Sequence, residues 1–385
     1  MAVFYPTEIL LPYGDKSKWS VVACDQFTAE PSYWEEAERL VNSAPSALRL
    51  ILPEAWLGTE RELGAQEKIA ETMQRYIREG AFEEHGEAFL YLERTQRDGR
   101  VRRGLMAALD LEEYDYRPGT EAAVRATEGT VEERLPARIR IREKALLEMP
   151  HVMVLADDPS DSIMYAASLS RGEAVYDFPL MLGGGHLRGW IISAEKQTAV
   201  KTALDALQKE KELAFAVGDG NHSLAAAKRY WESLCLTLSE TERETHPARF
   251  ALVEITNIHD PALDFEPIHR VIFDTDDEAF SLEFEDNRDR WENPSRSLGE
   301  RVAAAESFCR TYIEKHGGRL DYIHGDDTAR RLGAQKGCCA VLLPPIDKAG
   351  LFRSVAEHGA LPRKSFSMGH AEDKRYYLEC RIIRR

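Results

Sequence analysis

The segment at residues 214–231, AFAVGDGNHSLAAAKRYW, constrains the fold more than any other part of the sequence. The apolar run at 213–217 is typical of a buried strand, and it leads directly into the turn GDGN. The residues that follow the turn predict a helix over 223–236. The segment therefore predicts a strand that is joined to a helix by a short turn containing two glycines.

The residue types in this turn suit the binding of an anion. Gly218 and Gly220 permit a ligand to approach the backbone closely. Asn221 and Ser223 stand at the start of the helix, where free backbone N–H groups form an anion site. These four residues are our candidates for phosphate or nucleotide binding.

Two titratable residues of the turn are candidate catalytic groups. Asp219 is suited to hold a metal ion or to accept a proton, and His222 is suited to contact phosphate or to act in acid–base chemistry. The alternative is a strand–helix connection with an ordinary cap, because short glycine motifs recur by chance. The spacing alone leaves both interpretations open.

Two further polar segments add candidate ligand-binding residues. The first, RATEGTVEER at 125–134, contains Arg125, Glu128 and Thr130 and lacks the periodicity of a helix or strand. Its alternative is a solvated charged turn.

The second segment, LPRKSFSMGHAEDKRYY at 361–377, contains Arg363, Lys364 and His370. A loop of this kind can supply the positive charge that a phosphorylated substrate needs. Its alternative is a basic loop on the surface.

The rest of the chain combines hairpins with strand–helix units, and this combination predicts a mixed α/β (α+β) protein with segregated sheets and two lobes. The pattern predicts a hairpin from 88–95 and 101–111, and strands at 19–24 and 375–383. Helices are predicted at about 60–79, 194–211 and 299–316.

Composition shifts divide the chain into four parts. We expect an N-terminal α/β lobe at 1–120 and a core lobe at 121–273 that carries the DGNHS turn. Residues 274–299 are acidic and rich in Asp, Asn and Ser, which favours a surface linker or an insertion. Residues 300–385 are expected to form a C-terminal α/β segment that completes the site.

Charge and composition exclude several classes of protein. The formal net charge is −16, which disfavours broad electrostatic binding of nucleic acid. The six cysteines include no CxxC pair, so neither a disulfide scaffold nor a zinc cluster is expected. We find no signal peptide and no apolar run long enough to span a membrane. These features predict a cytoplasmic protein.

The motifs resemble those of a known bacterial family, domain of unknown function 1015, over nearly the whole chain. The recognisable stretches are LLPYGDKSKWSVVACDQFT, RATEGTVEERLPARIRIREKA, DGNHSLAAAK, FEPIHRVIF and LPRKSFSMGHAEDKRYYLE. The turn GDGNHS is also similar to the DGHHR-type signature of the ParB/sulfiredoxin-like free serine kinases. The resemblance implies a ParB/sulfiredoxin-like core with additional sheet and helical segments.

This chain departs from the kinase signature at two positions. Asp219, Gly220 and His222 match it, whereas Asn221 replaces the first His and Ser223 replaces the Arg. An Arg would bind phosphate through two N–H groups. We therefore expect Lys228, Arg229 or a residue from elsewhere to supply that charge.

The resemblance implies a phosphoryl-transfer enzyme that acts on serine or phosphoserine in serine metabolism, with Asp219, His222 and Glu128 as catalytic residues. Glu128 is the candidate base for the serine hydroxyl. Two alternatives stay open: a phosphoserine phosphatase, which the loss of the Arg favours, and a non-catalytic sensor of a nucleotide or metabolite. A DNA-binding ParB relative is disfavoured by the net charge of −16.

The same resemblance implies Mg²⁺ and a nucleotide, ADP or ATP, as cofactors, without metal ligands that we can name. The expected partner is serine or phosphoserine. Neither nucleic acid nor a membrane is expected, and a homodimer is left open.

Overall fold

A large mixed β-sheet organises most of the chain, and the computed structural model describes residues 2–384. In chain order the strands are β1 (Phe4–Tyr5), β2 (Thr7–Pro12), β3 (Phe82–Thr95), β4 (Val101–Asp110), β5 (Tyr114–Asp115), β6 (Val124–Ala126), β7 (Leu147–Glu148), β8 (Met153–Ala156), β9 (Ala174–Pro179), β10 (His186–Ile192), β11 (Phe215–Asp219), β12 (Phe250–Asn257), β13 (Phe265–Phe273), β14 (Arg319–His324), β15 (Cys338–Val341), β16 (Phe366–Met368) and β17 (Arg381–Ile382).

Helices lie between most of these strands, which makes the protein mixed α/β as the sequence predicts. In chain order they are α1 (Lys16–Trp19), α2 (Pro31–Val41), α3 (Ala65–Arg78), α4 (Leu135–Lys144), α5 (Ser162–Ser170), α6 (Gln197–Glu210), α7 (Asn221–Cys235), α8 (Glu240–Thr245), α9 (Asp277–Asn287), α10 (Asp289–Glu292), α11 (Leu298–His316), α12 (Asp326–Gly333) and α13 (Lys348–His358). None of the helices within residues 2–384 is both long and apolar enough to cross a membrane.

The main sheet has the strand order β5-β6-β11-β8-β12-β4-β3-β10-β9, with β1 added to β4 and β2 added to β3. Its centre is the predicted hairpin of β3 and β4, which pair antiparallel with Leu90 opposite Met106. Strand β11 lies between β6, which runs parallel to it, and β8, which runs antiparallel. β11 is therefore an interior strand of the sheet, and the turn after it is flanked by the segments that contain β6 and β8.

Both faces of the main sheet are covered, because side chains alternate between the faces along each strand. On one face Phe89 and Leu105 belong to an apolar cluster that includes α5, α6 and α7. On the other face Leu90 and Met106 belong to a cluster that includes residues of α2 and α3 and Leu378, which lies near the C-terminus.

A second, smaller sheet contains β14, β13, β15 and β16. Its apolar cluster includes Ile272 of β13, residues of α11, and two aromatic side chains of the 274–299 segment, Phe280 and Trp291. We expected an exposed linker or an insertion there, but α9 and α10 occupy most of it. Two buried aromatic side chains anchor this acidic segment to the smaller sheet. The division of the chain into four parts, with a linker or an insertion at 274–299, stays a prediction.

The strand predicted at 19–24 is corrected, and of the strand predicted at 375–383 the structure contains β17, Arg381–Ile382. Trp19 ends α1, and an isolated bridge joins the two segments between Val22 and Tyr376. Their extended backbones exchange hydrogen bonds, from Tyr377 N–H to Val21 O at 2.9 Å and from Ala23 N–H to Arg375 O at 2.9 Å. Apolar character alone does not distinguish such irregular pairing from a regular strand.

Candidate functional site

A polar cavity of 380 Å³ lies where β11 ends and α7 begins. Several stretches that are distant in sequence form its wall. The lining residues include Asp25, Gln26, Glu54, Glu128, Val131, Arg134, Arg138, His151, Gly218, Asp219, Gly220, Asn221, His222, Ser223, His324, Arg363, Lys364, Ser367 and Lys374. The complete DGNHS turn therefore faces this cavity, together with parts of the two polar segments, within 127–138 and 363–374.

Gly220 makes the tight connection between β11 and α7 possible. It precedes the first residue of α7 and has φ +77°, a left-handed conformation that side chains other than glycine rarely adopt. A Cβ atom at this position would lie 2.8 Å from Cα of Val152. Both the backbone angle and the close approach of Val152, the residue before β8, therefore require glycine here.

Asp219 contacts the backbone of its own turn and a lysine of the C-terminal segment. Its Oδ1 accepts the backbone N–H of Gly220 at 2.9 Å, and its Oδ2 lies 3.1 Å from Nζ of Lys374. Both side chains are largely shielded from solvent, so this ion pair is stronger than one at the surface. Asp219 thus connects the DGNHS turn to the C-terminal segment.

The backbone around Lys374 is held by two buried arginines. Arg94 donates to the carbonyl oxygens of Lys374 at 3.2 Å and Glu372 at 2.7 Å, and Arg102 donates to that of Asp373 at 3.0 Å. A buried guanidinium needs several acceptors, and here the acceptors are main-chain atoms beside the cavity. This arrangement fixes where Lys374 enters the site.

His222 acts as a hydrogen-bond acceptor. The backbone N–H of Val131 donates to its Nε2 at 3.1 Å, which places the ring proton of the neutral imidazole on Nδ1. Burial lowers the pKa of His222 to about 4, and the positive charges of Arg138, Arg134 and Arg363 act in the same direction. His222 is therefore neutral near pH 7, and three guanidinium groups lie close enough to influence it.

Glu128 binds the backbone of the 361–366 loop. Its carboxylate accepts N–H groups from Lys364 at 3.3 Å, Ser365 at 2.9 Å and Phe366 at 3.2 Å. Burial raises the pKa of Glu128 above its ordinary value, although these three hydrogen bonds act against the rise. Lys364 has φ +60°, and strained backbone of this kind persists only where surrounding contacts hold it. Glu128 supplies those contacts.

Three cations of the cavity wall have no carboxylate within ion-pair distance among residues 2–384. They are Arg134, just before α4, and Arg363 and Lys364 in the C-terminal loop. A fourth cation, Arg138 of α4, is paired with Glu54. Arg134 and Arg138 are four residues apart and therefore lie on one side of the chain at the start of α4.

The cavity wall also contains the carboxylate of Asp25, which lies near His151. Asp25 Oδ1 accepts the side-chain N–H of Gln26 at 3.0 Å, and its Oδ2 lies 3.9 Å from Nε2 of His151. Burial acts to raise the pKa of Asp25, but His151, the Gln26 amide and Lys374 outweigh it, so the pKa lies below its ordinary value. Asp25 is therefore a carboxylate at neutral pH.

Three of the predicted ligand-binding residues are not part of the cavity wall. Arg125 lines a separate cavity of 610 Å³, and its Nε donates to the carbonyl of Ala122 at 3.1 Å. Thr130 points elsewhere, with its hydroxyl buried and without a hydrogen-bond partner in the described part of the chain. His370 is exposed to solvent. Arg125 lies in β6, two residues before Thr127, where this segment first reaches the cavity wall.

The charge missing at Ser223 is not supplied by its neighbours on α7. Lys228 is buried and donates to the carbonyl of Leu111 at 2.8 Å, and Arg229 interacts with Tyr116. The cations in the cavity wall come from other segments: Arg134 precedes α4, and Arg363 and Lys364 belong to the C-terminal loop. The sequence did not single out Arg138 or His151. The spacing of two arginines at 134 and 138 was a local signal for Arg138, and His151 had no such signal.

The residues described in this structure do not form a metal centre. Within 2–384, no group of three or more His, Cys, Asp or Glu side chains is placed to hold a metal ion. Two carboxylates of the cavity wall, Asp219 and Asp25, already have cationic or N–H partners. The predicted Mg²⁺ therefore has no preformed set of ligands here.

The sequence matches the family described as "Protein of unknown function (DUF1015)" over residues 6–381. The chain belongs to this family. No curated protein matches the DUF1015 member described here.

The solved structures that are similar to this DUF1015 structure include a free serine kinase and two other proteins. A free serine kinase variant in complex with ADP has 9% identity and a TM-score of 0.39, with 74% of this chain and 93% of that chain covered. A conserved hypothetical protein from Pyrococcus furiosus has 8% identity, a TM-score of 0.36 and coverages of 71% and 94%. SbnI from Staphylococcus aureus, truncated at its C-terminus, has 10% identity, a TM-score of 0.34 and coverages of 69% and 82%.

Proposed function

We propose that this protein transfers a phosphoryl group between a nucleotide and serine, and that the cavity at the start of α7 is its active site. The observation that carries the proposal is a set of three cations in the cavity wall, Arg134, Arg363 and Lys364, that have no carboxylate within ion-pair distance among residues 2–384. Cations without an internal partner at a helix start suit a ligand that carries phosphate. The resemblance of GDGNHS to the free serine kinase signature supports the same reaction.

The site is suited to catalysis by positioning and by neutralisation of charge. Phosphoryl transfer needs the attacking and leaving oxygens in line and the charge of the phosphoryl oxygens stabilised. Arg363 and Lys364 approach the cavity from the C-terminal loop, and Arg134 approaches from the start of α4. These three cations supply the positive charge of the arginine that the kinase signature has at the position of Ser223. His222 is neutral and contributes no positive charge near pH 7.

In our proposal Asp25, rather than Glu128, is the base for the serine hydroxyl. The carboxylate of Glu128 is occupied by three backbone N–H groups, whereas that of Asp25 has one side-chain N–H partner and a histidine at 3.9 Å. The serine oxygen forms a bond to phosphorus as the bond from phosphorus to the nucleotide oxygen breaks. The hydroxyl proton passes to Asp25, and the released nucleotide keeps the negative charge.

Two other functions remain as alternatives that the experiment described next distinguishes. If water replaces the nucleotide as acceptor, the protein is a phosphoserine phosphatase. If ligand binds without turnover, the protein is a sensor of a nucleotide or metabolite. The cavity of 380 Å³ is large enough for more than a single phosphate group, as the kinase reaction requires.

The test is phosphorus NMR of the full chain with magnesium and phosphoserine, with and without AMP or ADP, and of the reverse mixture with serine. The proposal expects phosphoserine to be consumed only as the nucleotide gains phosphate. Release of free phosphate without nucleotide would identify a phosphatase instead. No reaction, together with a rise in melting temperature on adding ligand, would favour the sensor.

A matched pair of variants connects the activity to this cavity. Arg363→Ala should reduce turnover at least tenfold, because it removes a cation from the phosphate site. Arg140→Ala removes an exposed arginine of α4 that does not line the cavity, and it should keep wild-type turnover. Equal activity of the two variants would place the reaction elsewhere.

A further inference from the structure

His151 connects the cavity to a fully buried tyrosine. Its Nδ1 lies 2.8 Å from the hydroxyl of Tyr377, and its Nε2 lies 3.9 Å from Oδ2 of Asp25. The two rings meet edge to face, with centroids 5.6 Å apart and an interplanar angle of 88°. Asp25, His151 and Tyr377 therefore lie one behind the other from the cavity into the core, with a hydrogen bond between His151 and Tyr377 and a separation of 3.9 Å between His151 and Asp25.

The hydrogen bonds around Tyr377 determine which nitrogen of His151 accepts. The Tyr377 oxygen accepts the backbone N–H of Cys24 at 3.2 Å. Burial raises the pKa of Tyr377 well above its ordinary value, so the hydroxyl keeps its proton and must donate it. The neighbouring Cys24 sulfur is a weak acceptor, whereas an imidazole nitrogen is a good one. The hydroxyl therefore donates to Nδ1 of His151.

This donation leaves one position for the ring proton of His151. When Nδ1 of a neutral imidazole accepts a hydrogen bond, the proton is on Nε2, and Nε2 is the nitrogen that faces Asp25. The other tautomer would bring the Tyr377 O–H and the Nδ1–H into conflict. It would also present a lone pair of Nε2 to the Asp25 carboxylate.

We infer that His151 is a positioning residue whose Nε2–H, held in that tautomer by Tyr377, orients the Asp25 carboxylate toward the cavity. The inference rests on the proposed function only for its effect on turnover. The titratable groups that face Asp25 besides His151 are Lys374, Cys24 and Tyr377, together with His222, whose pKa the Asp25 charge acts to raise. Of these, only His151 joins Asp25 to Tyr377 through both ring nitrogens.

The first experiment measures the tautomer and does not need turnover. The full chain is labelled with ¹⁵N-histidine, and the His151 ring signals are assigned by their loss in His151→Gln. A long-range ¹H–¹⁵N spectrum at pH 8 should show His151 with a protonated Nε2 and an unprotonated, hydrogen-bonded Nδ1. A protonated Nδ1 would overturn the inference, whatever the activity of the protein.

Tyr377→Phe then removes only the hydroxyl, and Tyr376→Phe is its matched control. Tyr376 is equally buried, but its hydroxyl contacts Tyr33 and Met181 instead of His151. We expect Tyr377→Phe to convert His151 to a mixture of tautomers and to lower kcat about tenfold at unchanged KM, and Tyr376→Phe to do neither. A wild-type tautomer and wild-type kcat in Tyr377→Phe would overturn the inference. Absence of turnover in the wild type would count against the proposed function alone.

Discussion

Nζ of Lys374 lies 3.1 Å from Oδ2 of Asp219, although the two residues come from distant parts of the chain. Arg94 and Arg102 hold the backbone on either side of Lys374 through carbonyl oxygens. The DGNHS turn and the C-terminal segment are therefore connected by a charge pair that is itself fixed from the core. Changes at either end should be felt in the cavity.

Lys374→Met should lower the free energy of unfolding by about 2 kcal/mol, because it leaves the shielded carboxylate of Asp219 without its cation. The double variant Asp219→Asn with Lys374→Met should lose less than the sum of the two single variants. Urea unfolding of the four proteins measures this coupling. Additive losses would mean that the pair contributes nothing to stability.

Arg375→Met should destabilise the protein far more than the loss of an exposed ion pair. Arg375 lies 2.8 Å from Glu254 and also pairs with Glu379, and all three side chains are buried. Removing the cation leaves the buried Glu379 without an ion pair and Glu254 with Arg102 as its remaining cation, which costs about 3–5 kcal/mol. Urea unfolding measures the loss. Arg39→Met, which breaks an exposed pair with Glu36, should leave the urea midpoint unchanged.

Glu128→Gln should weaken ligand binding more than it slows chemistry. A glutamine side chain brings an N–H₂ group where the carboxylate accepts three backbone N–H groups, so the loop with Arg363 and Lys364 loosens. We expect KM for phosphoserine to rise about tenfold with kcat little changed. Steady-state kinetics measure both, with exposed Glu133→Gln as the control. A fall in kcat at constant KM would instead favour Glu128 as the base.

Gly220→Ala should cost more stability than Gly86→Ala, although both glycines have positive φ, +77° and +64°. Both variants pay the strain of a left-handed alanine, about 1–2 kcal/mol. Only at Gly220 does the new Cβ meet backbone, at 2.8 Å from Val152, whereas Gly86 has open space. Overpacking should add about 1–3 kcal/mol at Gly220. Equal losses in thermal or urea unfolding would contradict this close approach.

His222 should make the protein less stable in acid. Its folded pKa is about 4 against an ordinary value of 6.5, so between these pH values the unfolded chain binds a proton that the folded chain does not. The free energy of unfolding should therefore fall as the pH drops from 6.5 to about 4. His222→Gln should make this decrease shallower, whereas Ser223→Ala, in the same turn and without a titratable group, should leave it unchanged. Urea unfolding across this pH range measures both slopes.

Local sequence predicted the elements that local forces decide. The β3–β4 hairpin, helices α3, α6 and α11, and the strand, turn and helix around Gly220 all form as the pattern predicts. The acidic segment at 274–299 did not follow its composition, since Phe280 and Trp291 are buried against a core that lies elsewhere in the chain. A burial partner that is distant in sequence leaves no trace in local composition.

The sequence by itself determined the DGNHS turn, because glycine angles and helix starts depend on adjacent residues. It also identified the two polar segments that face that turn. Only the tertiary structure decided which of their residues share a cavity: it includes Arg363 and Lys364, leaves out Arg125 and His370, and adds His151. Whether a charge is paired depends on contacts between segments that are far apart along the chain. For that reason Asp219 meets Lys374, and three other cations are left to face the cavity.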